Sequence, residues 1–547
     1  MEYIYYLIDD CVFDLSALYS HIFISLSAAN KKYSNVIFEI KNYLNLIHYK
    51  HIHRFHRLRS LQYSDQLFYP TSLNLMTNLE KLKINNYDQK LSNVTYSNLI
   101  KLTKIEYTDS QIQVDYSIWS TLTKLQHIPL TENNCFPAKP HVSKLFYFPS
   151  LKSINLRNFR PVDNLLELTY FTNLQKLSLF DIENRINMFA CETLLHVLSK
   201  IYYLKYSYCK SIIENNRTIT KIICTNSHLD VHRCFDLKIL HIFNRSKINI
   251  FNCYKLENMR IQSTNELNFY NIDMRNLTKL VIYNSATALN IFKRNLNNLQ
   301  VLVYGNRDKD EIDTLNMYPN LTKLITYSVI KDDLTSYLMR LKFLHMFPKG
   351  NNFDRLIHLE KLILSNVGNN NISICTTLTC LKLYEATCIP NLFHMIHLKY
   401  FYFKFRRDVI DKKLHDWQHI TSMTNLQKLA IVNGFYPDDL SYLQNLVGLK
   451  KLTISMYSNI QQYNIYDANI LSGLTRLNKF KTNGIVTRNV FVLKRLQYLK
   501  THCCDEYDAY MLTNLKYLRK ACFPNYSDTF RELKKLKYFE RLQIKLP

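Results

Sequence analysis

Glycine is nearly missing from this chain, with 7 residues in 547. Loops that cradle phosphate on bare backbone need clustered glycines, so that class of nucleotide site is excluded. Neither Gly-x-Ser-x-Gly nor His-Glu-x-x-His occurs, which removes two common hydrolase signatures. Acidic residues are also short. Asp and Glu total 44 against 70 Lys and Arg, a net charge of +26, and such an excess points to an acidic partner. Long apolar runs are lacking too: Asp14 and His21 interrupt the one extended candidate, so no spanning helix and no membrane role are expected. The N-terminus carries Glu2, Asp9 and Asp10 where a secretory signal needs positive charge. The expectation is an intracellular protein, cytoplasmic or nuclear, and not a secreted one. The 13 cysteines agree with a reducing compartment, because Cys224, Cys234, Cys253, Cys375 and Cys380 sit in apolar phrases as small hydrophobes. His502-Cys503-Cys504-Asp505 has the chemistry of a metal ligand set, but no second Cys/His pair stands at zinc spacing. No metal, cofactor or catalytic site is expected.

What the chain does contain is a recurring phrase: apolar, two residues, apolar, one residue, apolar. It reads Leu79-Glu-Lys-Leu82-Lys-Ile84, then Leu174-Gln-Lys-Leu177-Ser-Leu179 and Leu277-Thr-Lys-Leu280-Val-Ile282. Later copies open at Leu321, Leu359, Leu426 and Leu449. Weaker copies are placed at Leu102, Leu122, Leu151, Leu237, Leu256, Leu299, Leu341, Leu378, Leu398, Leu477, Leu496, Leu515 and Leu536, with a weak stretch around Leu204 and Ile219. A phrase returning every ~20 residues is the mark of a stacked-repeat fold. In a strand, side chains alternate faces, so the residues three and five after the leading apolar residue point into the stack. Each repeat then buries about three large apolar side chains, at roughly 1.5–3 kcal/mol each. One repeat cannot bury them alone; stacked neighbours can, through a parallel ladder. The few residues left over must return as short 3₁₀ turns, extended segments or brief helices. Longer steps, such as Leu398 to Leu426, leave room for an extra helical turn.

These repeats resemble the leucine-rich repeat superfamily over about nine-tenths of the chain. The resemblance implies an α/β solenoid, a horseshoe with a concave parallel β-sheet over residues 46–547. The chain departs from the family at one position. Asn falls seven residues after the leading Leu, as at Asn86, Asn158, Asn244, Asn284, Asn306, Asn366 and Asn433, where the family usually has it at eight.

Residues 1–45 lack the phrase. Their spaced apolar residues predict a small helical segment that caps the solenoid. The segment also resembles, more weakly, an F-box, through Leu7-Ile8-Asp-Asp10, the apolar Leu15 and Leu18, and Leu26-Ser-Ala-Ala-Asn30-Lys-Lys-Tyr33. That resemblance implies docking onto a Skp-type adaptor through Leu7, Ile8, Leu15, Leu18, Leu26 and Tyr33, with the solenoid as receptor for a ligase client.

The residue two after the leading Leu should face outward. It reads as lysine at Lys81, Lys124, Lys176, Lys279, Lys323, Lys361, Lys428, Lys451 and Lys479. Strands stack ~4.8 Å apart, so such a column repels itself unless something neutralises it. Aromatics occupy neighbouring outward positions, among them Tyr283, Tyr327, Tyr400 and Tyr402. Lysines beside aromatics make an anchor surface for an acidic protein segment. A scaffold or inhibitor with residues 1–45 as a plain cap is the alternative to the ligase receptor. A nucleic-acid binder ranks below both, because no recognised nucleic-acid module is present. The last phrase ends three residues before Pro547, and an uncapped parallel edge of that kind would favour end-to-end self-association.

Overall fold

The computed structural model describes residues 13–14, 37–41, 59–64, 77–84, 98–107, 122, 124–131, 150–157, 171, 173–180, 200–263, 266–284, 296–305, 318–327, 338–347, 353, 356–367, 376–406, 418–433, 441–455, 464–483, 485–500, 515–522 and 543–545. The chain divides into two compact units. One holds residues 1–277 with 287–290, and the other holds 278–286 with 291–547.

In the first unit, strands recur from Phe13–Asp14 and Ile37–Lys41 through Ser60–Ser64, Lys81–Ile84 and Lys104–Tyr107 to Lys176–Phe180, Tyr203–Ser207, Lys221–Thr225, Ile239–Phe243 and Asn258–Gln262. Neighbours pair in parallel with no register slip, as in Leu177 opposite Leu204 and Leu204 opposite Ile222. The second unit repeats the arrangement from Lys279–Tyr283 to Gln543–Lys545, for example Leu429 opposite Leu452 and Leu452 opposite Phe480. The third and fifth residues of the phrase are buried, as the alternation requires: Leu240 and Ile242 in one unit, Leu452 and Ile454 in the other.

A fourth buried position lies three residues before the leading Leu. Leu99, Leu296, Leu338, Leu446 and Leu474 occupy it, all at most 2% exposed. Its carbonyl accepts the leading residue's amide, as from Leu299 to Leu296 at 2.9 Å and from Leu449 to Leu446 at 2.8 Å. The phrase is therefore ambiguous from sequence alone, because Leu-x-x-Leu occurs twice in a row. Two leading residues are corrected by this geometry. Leu125, not Leu122, opens its repeat, since Leu125 donates to Leu122 and the strand runs His127–Thr131. Leu518 likewise replaces Leu515, with its strand at Lys520–Cys522.

The region that reads weakest in sequence is the most regular in three dimensions. Tyr203, Lys221, Ile239 and Asn258 lie opposite one another at steps of 18, 18 and 19 residues. So short a step has no room for a helix, and the return segment becomes a strand itself. Lys210–Glu214, His228–His232, Lys247–Phe251 and Glu266–Tyr270 form a second parallel sheet. Every strand of both sheets here ends on a residue of positive φ: Tyr208, Asn226, Asn244 and Ser263 after the first set, and Asn215, Arg233, Asn252 and Asn271 after the second. Asn tolerates the left-handed region better than other side chains. With glycine so scarce, Asn makes the corners. Asn244, Asn284, Asn366 and Asn433 all have φ between 45° and 62°, and the amide of each still donates to the next repeat. Asn at position seven is thus the residue that turns the chain at the strand end.

In the second unit the longer steps carry the expected turns, a helix at Gln418–Thr421 and a 3₁₀ turn at Ala468–Leu471, and a 3₁₀ turn at Val490–Val492 fits into the shorter step from Leu477 to Leu496. Among the described residues no helix is long and apolar enough to cross a membrane. In residues 1–45 only Phe13–Asp14 and Ile37–Lys41 are described. Both are strands, the second pairing in parallel with Ser60–Ser64 across the expected boundary at residue 46. Leu7, Ile8, Leu15, Leu18, Leu26 and Tyr33 lie outside the described residues, as does His502-Cys503-Cys504-Asp505.

Candidate functional site

The register fixes which side chains share the outward face of the long sheet. In the first unit the second column reads Lys81, Lys104, His127, Ser153, Lys176, Tyr203, Lys221, Ile239 and Asn258. In the second unit it reads Lys279, Val301, Lys323, Phe343, Lys361, Cys380, Tyr400, Lys428, Lys451, Lys479, Tyr498 and Lys520. Lys124 is not in the column. The corrected register puts it one residue before the leading Leu125, and His127 takes its place. Lys104, Lys221 and Lys520 belong to the column although the sequence reading passed over them. Lys104 and Lys221 were legible, since Ile105 and Ile222 stand where Leu was sought.

Several lysines find intramolecular partners. Lys104 pairs with Glu106, and Lys221 lies 5.3 Å from the centroid of the Tyr203 ring. Phe343 sits between Lys323 and Lys361, at 4.9 and 4.8 Å from the ring centroid. Such contacts contribute ~0.5–1 kcal/mol each at exposed sites, so the alternation of Lys with aromatics relieves the repulsion. His127 is held neutral: burial lowers its pKa, and Lys104, Lys176 and Lys152 lower it further.

In one stretch lysines follow one another directly. Lys428 faces Lys451, and Lys451 faces Lys479, on consecutive strands. The fourth column beside them reads Ala430, Thr453, Lys481 and Lys500, and no carboxylate appears in it. Lys481 and Lys479 lean on Tyr498, at 5.5 and 4.6 Å.

A different surface opens the second unit. Its fourth column is apolar: Val281, Val303, Ile325, His345 and Ile363 lie on successive strands. Val281, Val303 and Ile363 are at most 8% exposed although they point outward. The sixth column beside them carries Tyr283 and Tyr327 on either side of Gly305. A Cβ on Gly305 would lie 2.8 Å from Tyr283 Cδ1 and 3.0 Å from Tyr327 Cδ2, so this glycine admits both rings against the backbone. Tyr327 remains 44% exposed. Further along, Tyr384 and Tyr402 approach to 4.9 Å. Burial raises the pKa of Tyr400 and of Tyr402, so both stay protonated as hydrogen-bond donors at neutral pH. The sequence reading named these tyrosines but missed the apolar column under them, because Val and Ile on an outward position look like ordinary strand formers.

No protein-family model and no curated protein matches this chain. Among solved structures it is similar to the TLR13–ssRNA13 complex, with 17% identity over 92% of this chain and 77% of that chain, at a TM-score of 0.49. It is also similar to an internalin, inlF, from Listeria monocytogenes, with 12% identity over 83% of this chain and 88% of that chain, at a TM-score of 0.24. What decides the architecture is the chain's own register: a parallel strand per repeat, the same apolar phrase in each, and few helices. It is a solenoid of parallel strands built on a leucine-rich phrase. Among the described residues no group of three or more His, Cys, Asp or Glu is placed to hold a metal ion.

Proposed function

We propose that this solenoid binds an acidic protein segment along the outward sheet face of its second unit. The observation that carries the reading is Lys428 facing Lys451 on consecutive strands, with Ala430 and Thr453 and no carboxylate beside them in the fourth column. An acidic partner would neutralise this pair of cations. Tyr283 and Tyr327, beside the outward Val281 and Val303, offer an aromatic anchor of the kind that dominates protein interfaces. An acidic segment with apolar side chains suits both surfaces.

The test is fluorescence anisotropy of a labelled Glu-rich peptide on the full chain, at rising salt. Binding that weakens with salt and is lost in the Lys428→Glu, Lys451→Glu, Lys479→Glu triple variant supports the reading. Equal binding by the variant rejects it. Single-stranded RNA of the same charge binding far more tightly, with a steep salt slope, would replace the protein partner with nucleic acid.

The F-box resemblance of residues 1–45 supports a narrower version, in which the acidic segment belongs to a ubiquitin-ligase client. Capture of a purified Skp-type adaptor by the full chain, lost on Leu7→Asp or Leu26→Asp, is its expected result. Absence of capture leaves the scaffold reading alone.

A further inference from the structure

The rim of the second unit's sheet holds a site that the column reading does not include. Along both units the residues flanking the leading Leu form two rim columns, and several cations in them are matched to a neighbouring repeat. Lys101 donates to Asn78, Lys200 to Asn173 at 3.2 Å, and Arg340 to Asn320. Lys255 pairs with Asp236 at 2.6 Å, Lys238 with Glu257 at 3.0 Å, and Lys342 with Glu360 at 3.5 Å.

Among the described residues Lys450, Arg476 and Arg495 have no such match; Lys124, Lys152 and Lys399 have none either, but Lys450, Arg476 and Arg495 stand together. One repeat before Arg476, the position that elsewhere supplies Asn or Asp is Gly448. A side chain is barred there, since a Cβ would lie 2.7 Å from the Thr424 carbonyl oxygen. Lys450 stands between Gln427 and Asn478 in its own column, with no acid on either side. Lys450, Arg476 and Arg495 are all exposed, and among the described residues none of the three makes an ion pair. Together with Asn478, Gln497 and Tyr517 they line an open recess of about 550 Å³. A second recess of about 350 Å³ adjoins it at Lys450 and Arg476, over Gly448.

Three cations converging on one recess, with Asn and Gln amides beside them, match a compact doubly charged oxyanion. Arg presents paired donors that fit phosphate oxygens bidentately. A carboxylate carries one charge and would satisfy only part of this donor set. A nucleic-acid backbone would ask for cations strung along a line with bases stacked between them, whereas the one exposed aromatic here, Tyr517 at 60%, stands at the edge of a single cluster. We infer that this recess binds the phosphate of a phosphorylated side chain on a protein segment lying across the adjacent lysine run.

The inference rests on the acidic-segment reading for its partner, and the experiment separates the two. The probes are labelled 12-residue Glu-rich peptides with a central Ser or a central phosphoserine, with inorganic phosphate as competitor. The phosphopeptide is expected to bind the full chain about 10-fold more tightly, a difference of ~1.4 kcal/mol. Arg476→Gln with Arg495→Gln should erase that difference and leave the Ser peptide's affinity unchanged. Equal affinity of the two peptides, or a difference that survives in the double variant, overturns the inference. Weak binding of the Ser peptide that the lysine triple variant does not alter overturns only the acidic-segment reading. Inorganic phosphate binding as tightly as the phosphopeptide assigns the recess to free phosphate and overturns the protein partner. RNA displacing the phosphopeptide at lower concentration than phosphate does assigns it to nucleic acid and overturns it equally.

Discussion

Two stretches of the molecule solve the same charge problem in opposite ways. Residues 200–271, in the first unit, answer part of their positive charge from within. Lys238 meets Glu257, Lys255 meets Asp236, and Lys247 meets Glu266 at 2.5 Å. The hydrogen bonds from Lys247 and Asn268 hold the Glu266 carboxyl below its usual range. On the second sheet Asn249 donates to Asp230 at 2.6 Å, and Asn268 to Asn249 at 2.8 Å. His232, Phe251 and Tyr270 stack beside them, 4.1 and 4.4 Å apart and within 8° of parallel. Residues 426–500, in the second unit, set Lys428 opposite Lys451 and gather Lys450, Arg476 and Arg495 around one recess. Both stretches use one strand per repeat and one register. In-register stacking repeats whatever chemistry a column holds, so complementary residues become a ladder that stabilises the fold, and like charges become a row of the same sign. The second stretch is the face on which we propose that a partner binds.

The core is common to both, and breaking it should erase the contrast. Leu240→Ala and Leu452→Ala each remove a fully buried side chain and should each cost about 2–5 kcal/mol, read by urea denaturation of the full chain. A cost below 1 kcal/mol at either site would show that its repeats are loosely packed. The lysine triple variant comes next. It should lower affinity for the Glu-rich peptide by about 10- to 100-fold, some 1.4–2.8 kcal/mol, without lowering stability. Lys238→Ala in the first unit should do the reverse, leaving affinity unchanged and costing at most ~1 kcal/mol of stability, as exposed pairs do. Loss of peptide affinity in Lys238→Ala would end the division of labour between the two stretches.

The corners offer a finer probe. Asn244 and Asn433 have φ of 45° and 62°. Replacing either by Ala should cost ~1 kcal/mol, because the short polar side chain of Asn offsets the left-handed penalty by local hydrogen bonding and a methyl does not, whereas Gly should be tolerated. An Ala variant as stable as the parent would mean that the Asn side chain contributes nothing at the corner. The smallest effect is a pH dependence at His127. Burial and the neighbouring lysines lower its folded pKa below the unfolded value near 6.5. Between those two values the unfolded chain binds more protons, so stability should fall as pH drops through about 6.5. His127→Gln should flatten that part of the profile. A stability that rises on acidification through this window would show that the imidazole is instead stabilised as a cation.

Much of this was readable from residue order. The repeat, its length, the parallel ladder and the inward third and fifth positions follow from strand geometry, which acts over five or six residues. The lysine column was legible for the same reason, apart from Lys124, which entered because Leu-x-x-Leu occurs twice in that repeat. The second sheet was not legible. The stretch from Leu204 onward reads weakly because Ile, Cys and Met replace Leu, although those residues fill the same buried positions at 0% exposure in Ile222, Cys224 and Met259.

The sequence by itself determined that this chain stacks in register, that it turns on asparagine for want of glycine, and that lysine dominates one outward column. Only the tertiary structure decided which lysines are answered by a neighbour and which are not. Pairing in a solenoid joins residues about 18 to 28 positions apart, one repeat to the next, and a shift of three residues in register moves a side chain from the sheet face to its rim. Whether Arg476 meets an asparagine or a glycine is set by that alignment alone.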